Sequence, residues 1–323
     1  FDAAILRTLG ASQAQLTAAQ VAEFLVLGAL AGLLAAGGAT AVGYLLARSG
    51  EVQIKTMSSV AFYALVPSLI FHMLVTSTIS GRDVALMTMA ALLVTAVMAV
   101  VGASAARLLG LGRGEASAFL LVVMFSNGGN YGLPLVSFAF GPAALTYASV
   151  FFLTGAVLTY TVGGLIAAAG RRPLSDAVRN VAKMPMVYAA LAALIVLGTG
   201  ITVPAMVLRP IGLLRDAALP TMILILGMQL QRAVVPKRPA VPVVAVAVSL
   251  VIAPLVAIGI ATALGLTGPG RQAVIILSSM PVAVSTTILA IQYDVDPEMV
   301  TSAVFLSTVL SPLTLVPLIA WLS

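Results

Sequence analysis

Ten apolar runs, separated by short polar gaps, are the feature that most constrains this chain. Of its 323 residues, 61% are hydrophobic and only 8% are charged, whereas a soluble domain carries roughly 25% charged residues. The runs span residues 21–47, 56–77, 84–109, 116–140, 142–169, 184–198, 205–231, 240–264, 272–293 and 297–322. A helix needs about 20 apolar residues to cross a bilayer. The sequence therefore predicts an all-α polytopic integral membrane protein with ten transmembrane helices, whose solvent is the lipid bilayer.

Two halves of the chain resemble each other. An N-terminal segment (1–20) precedes five spans (21–169), a cytoplasmic linker (170–183) and five further spans (184–323). The second spans of the halves share an Ala-Leu-rich segment with a proline, and Gly141-Pro142 opens the fifth span as Asp296-Pro297 opens the tenth. Because five is an odd number, the second half enters the membrane upside down, as in the inverted repeats of many secondary transporters.

The basic residues predict how the chain lies in the membrane. The net charge is +6, but the bases occupy the gaps between apolar runs rather than one amphipathic surface, which excludes a nucleic-acid partner. Alternate gaps on one side hold 11 of the 16 Lys and Arg residues, and the positive-inside rule places that side in the cytoplasm. We therefore expect both termini outside, in the plasma membrane. Residues 1–20 lack the basic start of a signal peptide.

The fourth and ninth spans each contain a segment that opposes a continuous helix. Residues 125–134 read FSNGGNYGLP, where each Gly costs about 1 kcal/mol and the Pro about 3 kcal/mol relative to Ala. Residues 278–287 read SSMPVAVSTT, and aligning the halves places Asn130 opposite Ser285. Non-helical backbone at membrane depth survives only where protein or a wet cavity surrounds it. Paired interruptions of this kind indicate a transporter's binding site.

A small organic anion, expected to be a carboxylate, is the predicted substrate. Two broken helices that cross near the midplane would direct their partly positive N-termini at one point. The predicted substrate-binding residues are Ser126, Asn127, Asn130, Tyr131, Pro134, Pro281, Ser285, Thr286 and His72. For His72, the only histidine, the alternative is a hydrogen bond to a neighbouring helix. For the glycines and prolines the alternative is close helix packing.

Four segments carry a resemblance to a known family: residues 66–72, 127–135, 280–284 and 293–297. Through them the chain resembles the auxin efflux carrier family, from about residue 21 to 322. The resemblance implies two inverted five-helix repeats, a scaffold and a moving transport part, and crossed broken helices 4 and 9 that hold the substrate. The crossover prolines would be Pro134 and Pro281, and the asparagine Asn127 or Asn130. Ser285 where the family often has Asn, and the short linker, weigh against auxin itself.

The acidic residues bear on how transport is driven. Asp83, Glu115, Asp216 and Asp294 are expected at helix ends or loops, with Arg215-Asp216 as a pair at a helix start. Proton or sodium coupling usually needs a carboxylate within the membrane, so we expect potential-driven efflux by uniport or exchange. The alternatives are an ion-coupled (H⁺ or Na⁺) carrier, an anion channel and a non-transporting sensor.

Enzymatic chemistry is not expected. The sequence has no GxSxG, HExxH or Walker A motif, no cysteine and a single histidine, so neither a cofactor nor a metal site is predicted. Gln229 is interpreted as a cap at the membrane interface. A homodimer is compatible with the sequence.

Overall fold

The computed structural model describes residues 40–49, 52–168, 183–230 and 240–323, and within these ranges every regular element is a helix. The first half contains α1 (40–49), α2 (Ile54–Val75), α3 (Gly81–Leu108), α4 (Arg113–Met124) and α5 (Gly128–Ala167). The second half contains α6 (Pro185–Thr199), α7 (Ala205–Leu230), α8 (Ala240–Ala263), α9 (Gly268–Ser278), α10 (Val284–Tyr293), α11 (Pro297–Leu310) and α12 (Pro312–Leu322). The prediction of an all-α chain is confirmed.

Several of these helices are long and apolar enough to span a bilayer. Among the described residues, five qualify alone, and a sixth span results when α11 and α12, bent by 48°, count as one. This confirms a multi-pass membrane protein. The number ten stays a prediction, because residues 21–39 of the first span lie outside the described ranges and the fourth and ninth spans are interrupted. Residues 1–20 and 170–182 also lie outside those ranges, so the predicted domain boundaries stay predictions.

Two local features bear on the predicted spans. α5 consists of two helical arms, because the backbone is non-helical at Gly141, with φ 78° and ψ −170°, where the predicted fourth and fifth runs meet. Glycine adopts this conformation without steric cost, and Pro142 then starts the second arm. The tenth run, predicted as one helix over 297–322, bends between α11 and α12 at Ser311.

The helices pack as two bundles. In the first bundle, α2 packs against α6 and α7, and α1 approaches α7 so closely that a side chain at Gly43 would strike the Leu224 carbonyl and one at Gly227 the Thr40 carbonyl. Small residues allow such close contact between membrane helices. The second bundle contains α3, α4, α5 and α8–α12, with α9 packed against α5 and α3 against both α4 and α5.

The interrupted helices form the interior of the second bundle. Phe119 and Leu121 of α4 and Ile275 and Ile276 of α9 are all fully buried. The ends of both helices are therefore surrounded by protein rather than lipid, which is the condition for non-helical backbone at membrane depth. The first turn of α5 contacts α7 of the first bundle, so the breaks lie where the two bundles meet.

Candidate functional site

The two breaks pair with each other. After α4 and α9 end, the chain is extended, and Ser126 forms an antiparallel bridge with Val282. The Asn127 N–H donates to the Pro281 carbonyl (2.7 Å), and the Ala283 N–H donates to the Phe125 carbonyl (2.9 Å). Backbone groups released by one break are thus satisfied by the other, which removes the cost of leaving them unpaired away from water.

Side chains fix the paired segments in place. Ser126 Oγ donates to the Leu277 carbonyl at 2.8 Å, across the two breaks. The Val282 N–H donates to Ser307 Oγ of α11 at 3.0 Å, and Thr286 Oγ1 donates to the Ala283 carbonyl at 2.6 Å. The carbonyl oxygens around the breaks are therefore largely occupied by donors from the protein.

The polar groups left over at the breaks are donors. Neither the first turn of α5 nor the start of α10 has a side-chain cap hydrogen bond, so the partial positive charge of both helix ends is not offset there. Asn127 Nδ2 and Ser278 Oγ are buried and have no hydrogen-bond partner in the described part of the chain. An amide nitrogen and a hydroxyl both donate hydrogen bonds. This arrangement suits a ligand group that accepts hydrogen bonds and carries negative charge.

A cavity of about 1040 Å³ lies between the bundles and reaches the breaks. Its aromatic lining comes from Phe62, Tyr63, Phe125, Phe151, Phe152, Tyr160 and Phe305. Lys55, in the first turn of α2, and Lys183, just before α6, line it at exposed positions. No Asp or Glu is among the described residues that line the cavity. Its charged lining residues in those ranges are thus both basic, and they lie on the side predicted to be cytoplasmic.

Four of the nine predicted substrate-binding residues line this cavity. They are Ser126, Asn127, Asn130 and Ser285. Asn127 is only 6% exposed, and the Ser126 hydroxyl already donates to Leu277, so Asn127 is the better placed of the two to donate to a ligand. Substrate binding by all four remains a prediction.

The other five predicted residues lie outside the cavity lining, and direct substrate contact is not supported for them. Thr286 is fully buried, and its hydroxyl is used within its own turn. Pro281 contributes its carbonyl to the paired breaks. Pro134 is buried in the first turn of the α-helix that starts at Leu133, and Tyr131 packs against Ser311.

His72 is the fifth, and it contacts a neighbouring helix instead. Arg215 Nη1 of α7 donates to His72 Nδ1 of α2 at 3.2 Å, and Arg215 also forms an ion pair of 2.6 Å with Asp216. This is the alternative that the sequence left open for His72. The expectation that Arg215-Asp216 starts a helix is wrong, because both residues lie inside α7.

Sequence reasoning missed several residues of the site. Lys55, Lys183, Ser278 and Gln229 all line the cavity, although Gln229 was expected to be only an interfacial cap. The available signal was weak: Ser278 is one of two serines just before Met280-Pro281, and Gln229 is a lone amide in an apolar run.

Comparison with known proteins places the chain in a family. It matches the family described as "Membrane transport protein" over residues 38–175 and 171–319. It is 29% identical to an uncharacterized transporter of Methanothermobacter thermautotrophicus over 276 residues, which cover 82% of this chain and 88% of that protein. It is also 24% identical to an uncharacterized transporter of Methanocaldococcus jannaschii over 207 residues, 63% of this chain and 67% of that protein. The protein is therefore a membrane transporter and not an enzyme, and it belongs to the membrane transport protein family, that of the auxin efflux carriers which its interrupted helices resemble.

Proposed function

We propose that this transporter is a secondary carrier of a small organic anion, and that the carboxylate of the substrate binds where the two breaks meet. The observation that carries this proposal is the pair of buried donors, Asn127 Nδ2 and Ser278 Oγ, which lack partners in the described part of the chain. An unsatisfied buried donor costs roughly 1–3 kcal/mol, and a bound carboxylate would recover that free energy.

The charge of the cavity supports an anionic substrate. Lys55 and Lys183 line it without any carboxylate among the described lining residues, and a cavity with walls of low dielectric and one sign of charge concentrates ligands of the opposite sign. The absence of Asp and Glu from the described part of this lining favours uniport or exchange over ion coupling through the cavity, and Asp216, the carboxylate that lies inside the α7 span, is paired with Arg215. A membrane potential of 100 mV supplies about 2.3 kcal/mol per charge, enough to drive efflux from a cell that is negative inside.

Alternating access would come from a movement of the second bundle against the first. We propose the arrangement that the sequence predicts: ten spans in two inverted repeats, both termini outside in the plasma membrane, and broken helices 4 and 9 crossed at the substrate. The cavity between the bundles would then be the cytoplasm-facing state. Each chain contains a complete cavity, so the mechanism operates in a monomer and equally in each subunit of a homodimer.

Uptake by proteoliposomes tests the proposal. Radiolabelled carboxylates, among them indole-3-acetate, are offered under an imposed K⁺/valinomycin potential to wild type, Asn127→Ala and the control Ser279→Ala, whose hydroxyl bonds only within its own helix at 2.6 Å. We expect saturable, potential-dependent uptake with trans-stimulation. Loss of one hydrogen bond to a charged group should lower kcat/KM at least about tenfold in Asn127→Ala and leave the control unchanged.

Other outcomes select among the alternatives. Unsaturable flux without exchange would indicate an anion channel, and uptake that requires a Na⁺ or H⁺ gradient would indicate ion coupling. Binding without flux would indicate a sensor. Full activity of Asn127→Ala would remove the breaks as the binding site.

A further inference from the structure

Gln229 is a cavity residue whose polar side chain the proposed anion site does not use. It lies in the last turn of α7, in the first bundle, and lines the same cavity as Asn127 and Ser278 of the second bundle. Its Oε1 atom is buried and has no hydrogen-bond partner within the described ranges. Within the described residues, Gln229 thus presents an unpaired oxygen from the first bundle to a cavity that the breaks of the second bundle also line.

An amide in this position needs a physical reason. Buried polar atoms of native proteins are nearly always hydrogen-bonded, and the exceptions call for a ligand, a water or a functional role. A glutamine amide combines two N–H donors with one acceptor oxygen, so it can pair with a hydroxyl or an N–H group of a ligand. The atom of Gln229 that lacks a partner within the described ranges is the acceptor oxygen Oε1, to which a carboxylate cannot donate, so it does not compete with the breaks for the carboxylate.

We propose that Gln229 is a specificity-determining residue that hydrogen-bonds a second polar group of the substrate. This inference rests on the proposed function, because it takes the carboxylate to be held at the breaks. Apolar side chains such as Phe62, Phe152 and Met222 also line this cavity. The substrate class is therefore an organic anion with an apolar middle and a hydroxyl or N–H group remote from its carboxylate.

The location of Gln229 also determines the stage of transport at which it can contact the substrate. Because Gln229 belongs to the first bundle and the breaks to the second, a substrate that touches both spans the interface between the bundles. Relative movement of the bundles separates the two contacts, so Gln229 selects substrates at the cytoplasm-facing cavity and releases its hydrogen bond during transport.

Matched pairs of acids test this inference. Proteoliposomes receive 4-hydroxyphenylacetate or phenylacetate, and in a second series indole-3-acetate or naphthalene-1-acetate, so that within each pair the remote hydroxyl or N–H is the polar group that differs. A site with a buried group that pairs with this substituent should prefer the polar acid at least about tenfold in kcat/KM, in one pair or both. Gln229→Leu should reduce that ratio to about one, by lowering uptake of the polar acid, while uptake of its apolar partner stays within about twofold.

Controls separate this role from a structural one. Gln53→Leu makes the same exchange at an exposed residue outside the cavity lining and should keep the wild-type ratio. If Gln229→Leu does not fold, as judged by thermal unfolding in detergent, Gln229→Met removes the amide at nearly constant length and should give the same loss of preference.

Three results would overturn the inference. Saturable uptake by wild type with a ratio of one in both pairs would contradict it while leaving the anion carrier intact. A preference for the polar acid that persists in both Gln229 variants would also contradict it. So would a folded variant in which uptake of both acids of a pair falls equally. If wild type transports other carboxylates but none of the four acids, this inference fails and the proposed function stands; if it transports no organic anion at all, both fail.

Discussion

Asn127 has two separable roles at the residue scale. Its backbone N–H donates to Pro281, which any residue except proline could do, whereas its side-chain Nδ2 is buried without a partner in the described structure. The first role holds the breaks together, and the second is available to substrate. A substitution that removes only the side-chain amide should therefore impair transport without lowering the stability of the protein.

Asn127→Ala should leave the protein at least as stable as wild type while it weakens transport. Truncation removes an unpaired buried amide, which costs roughly 1–3 kcal/mol in the wild type, and the space it vacates joins an existing cavity rather than a sealed void. We expect an unchanged or higher Tm in detergent. At the same substrate concentration, the Tm should rise less in Asn127→Ala than in wild type and in Ser279→Ala. A marked fall in the Tm of unliganded Asn127→Ala would mean that the amide has a structural partner.

From the sequence, cavity-lining residues could be located where the residue type conflicts with its surroundings. Asn127 and Asn130 stand beside glycines at membrane depth, and both line the cavity. Thr286 looked equally suitable, but its hydroxyl bonds the Ala283 carbonyl, and hydroxyl groups commonly make such local bonds. Gln229 was missed because a lone amide near a helix end is also what an interfacial cap looks like.

At the scale of elements, the first turn of α5 can approach α9 only because it is rich in glycine. A Cβ atom at Gly132 would lie 2.5 Å from Leu277 Cδ2 and 3.2 Å from Met280 Cγ, and one at Gly128 would lie 3.3 Å from Leu277 Cδ2. These contacts explain why a segment with poor helix propensity persists. Substituting alanine would improve propensity and yet separate the two interrupted helices.

Gly132→Ala should therefore destabilise the protein. Overpacking of a buried contact typically costs about 1–3 kcal/mol, which exceeds the gain of up to about 1 kcal/mol that alanine gives within a helix. Gly259→Ala in α8 is the matched control, because no atom lies within 4 Å of its Cβ position. Thermal unfolding should show a lower Tm for Gly132→Ala and an equal or higher one for Gly259→Ala. Equal Tm values for wild type and Gly132→Ala would contradict this account of the contact.

Ser307 couples α11 to the ninth-span break. Its hydroxyl accepts from the buried Val282 N–H at 3.0 Å and donates to the Val304 carbonyl at 3.0 Å. Ser307→Ala leaves the Val282 N–H unpaired, at a cost of roughly 1–3 kcal/mol, and should raise the KM for the anion because the start of α10 loses its support. Ser307→Thr retains the hydroxyl and should restore the wild-type stability and the wild-type KM.

Ser149→Ala provides the control for Ser307. The Ser149 hydroxyl is also fully buried but bonds only its own helix, at the Leu145 carbonyl, so its loss should change the Tm and KM little. Thermal unfolding and initial uptake rates measure both effects. If Ser307→Ala behaved like Ser149→Ala, the bond to Val282 would have no part in the stability of the break.

The sequence predicts the helices and the positions of their breaks, but not the individual residues that contact each break. The second span, predicted at 56–77, is Ile54–Val75 in the structure, and the breaks fall within the predicted segments. The bend at Ser311 depends on packing that a single sequence does not contain, whereas the interruption at Gly141 falls where the sequence places the start of the fifth span. The bond from Val282 to Ser307 joins residues 25 positions apart, and no local pattern indicates it.

At the scale of the whole molecule, the cavity and the charge distribution point to the same side of the membrane. The cavity extends from the breaks to Lys55 and Lys183, and both lysines belong to the set of bases that the positive-inside rule assigns to the cytoplasm. In the proposed orientation, attraction at this opening and hydrogen-bond donors at the breaks would together give an anion a path from the cytoplasm to the centre of the protein.

Single cysteines can test which side the cavity faces, since the natural chain contains none. Ser59→Cys and Ser285→Cys lie in the cavity lining, and Thr267→Cys lies at the exposed start of α9, on the predicted outer side. A negatively charged, membrane-impermeant methanethiosulfonate should modify Ser59→Cys and Ser285→Cys in inside-out vesicles only, and Thr267→Cys in right-side-out vesicles only. A transported carboxylate should slow modification of Ser285→Cys, next to the breaks, and leave Thr267→Cys unaffected. Modification of Ser285→Cys from the outer face alone would place the opening of the cavity, and the basic residues around it, outside the cell.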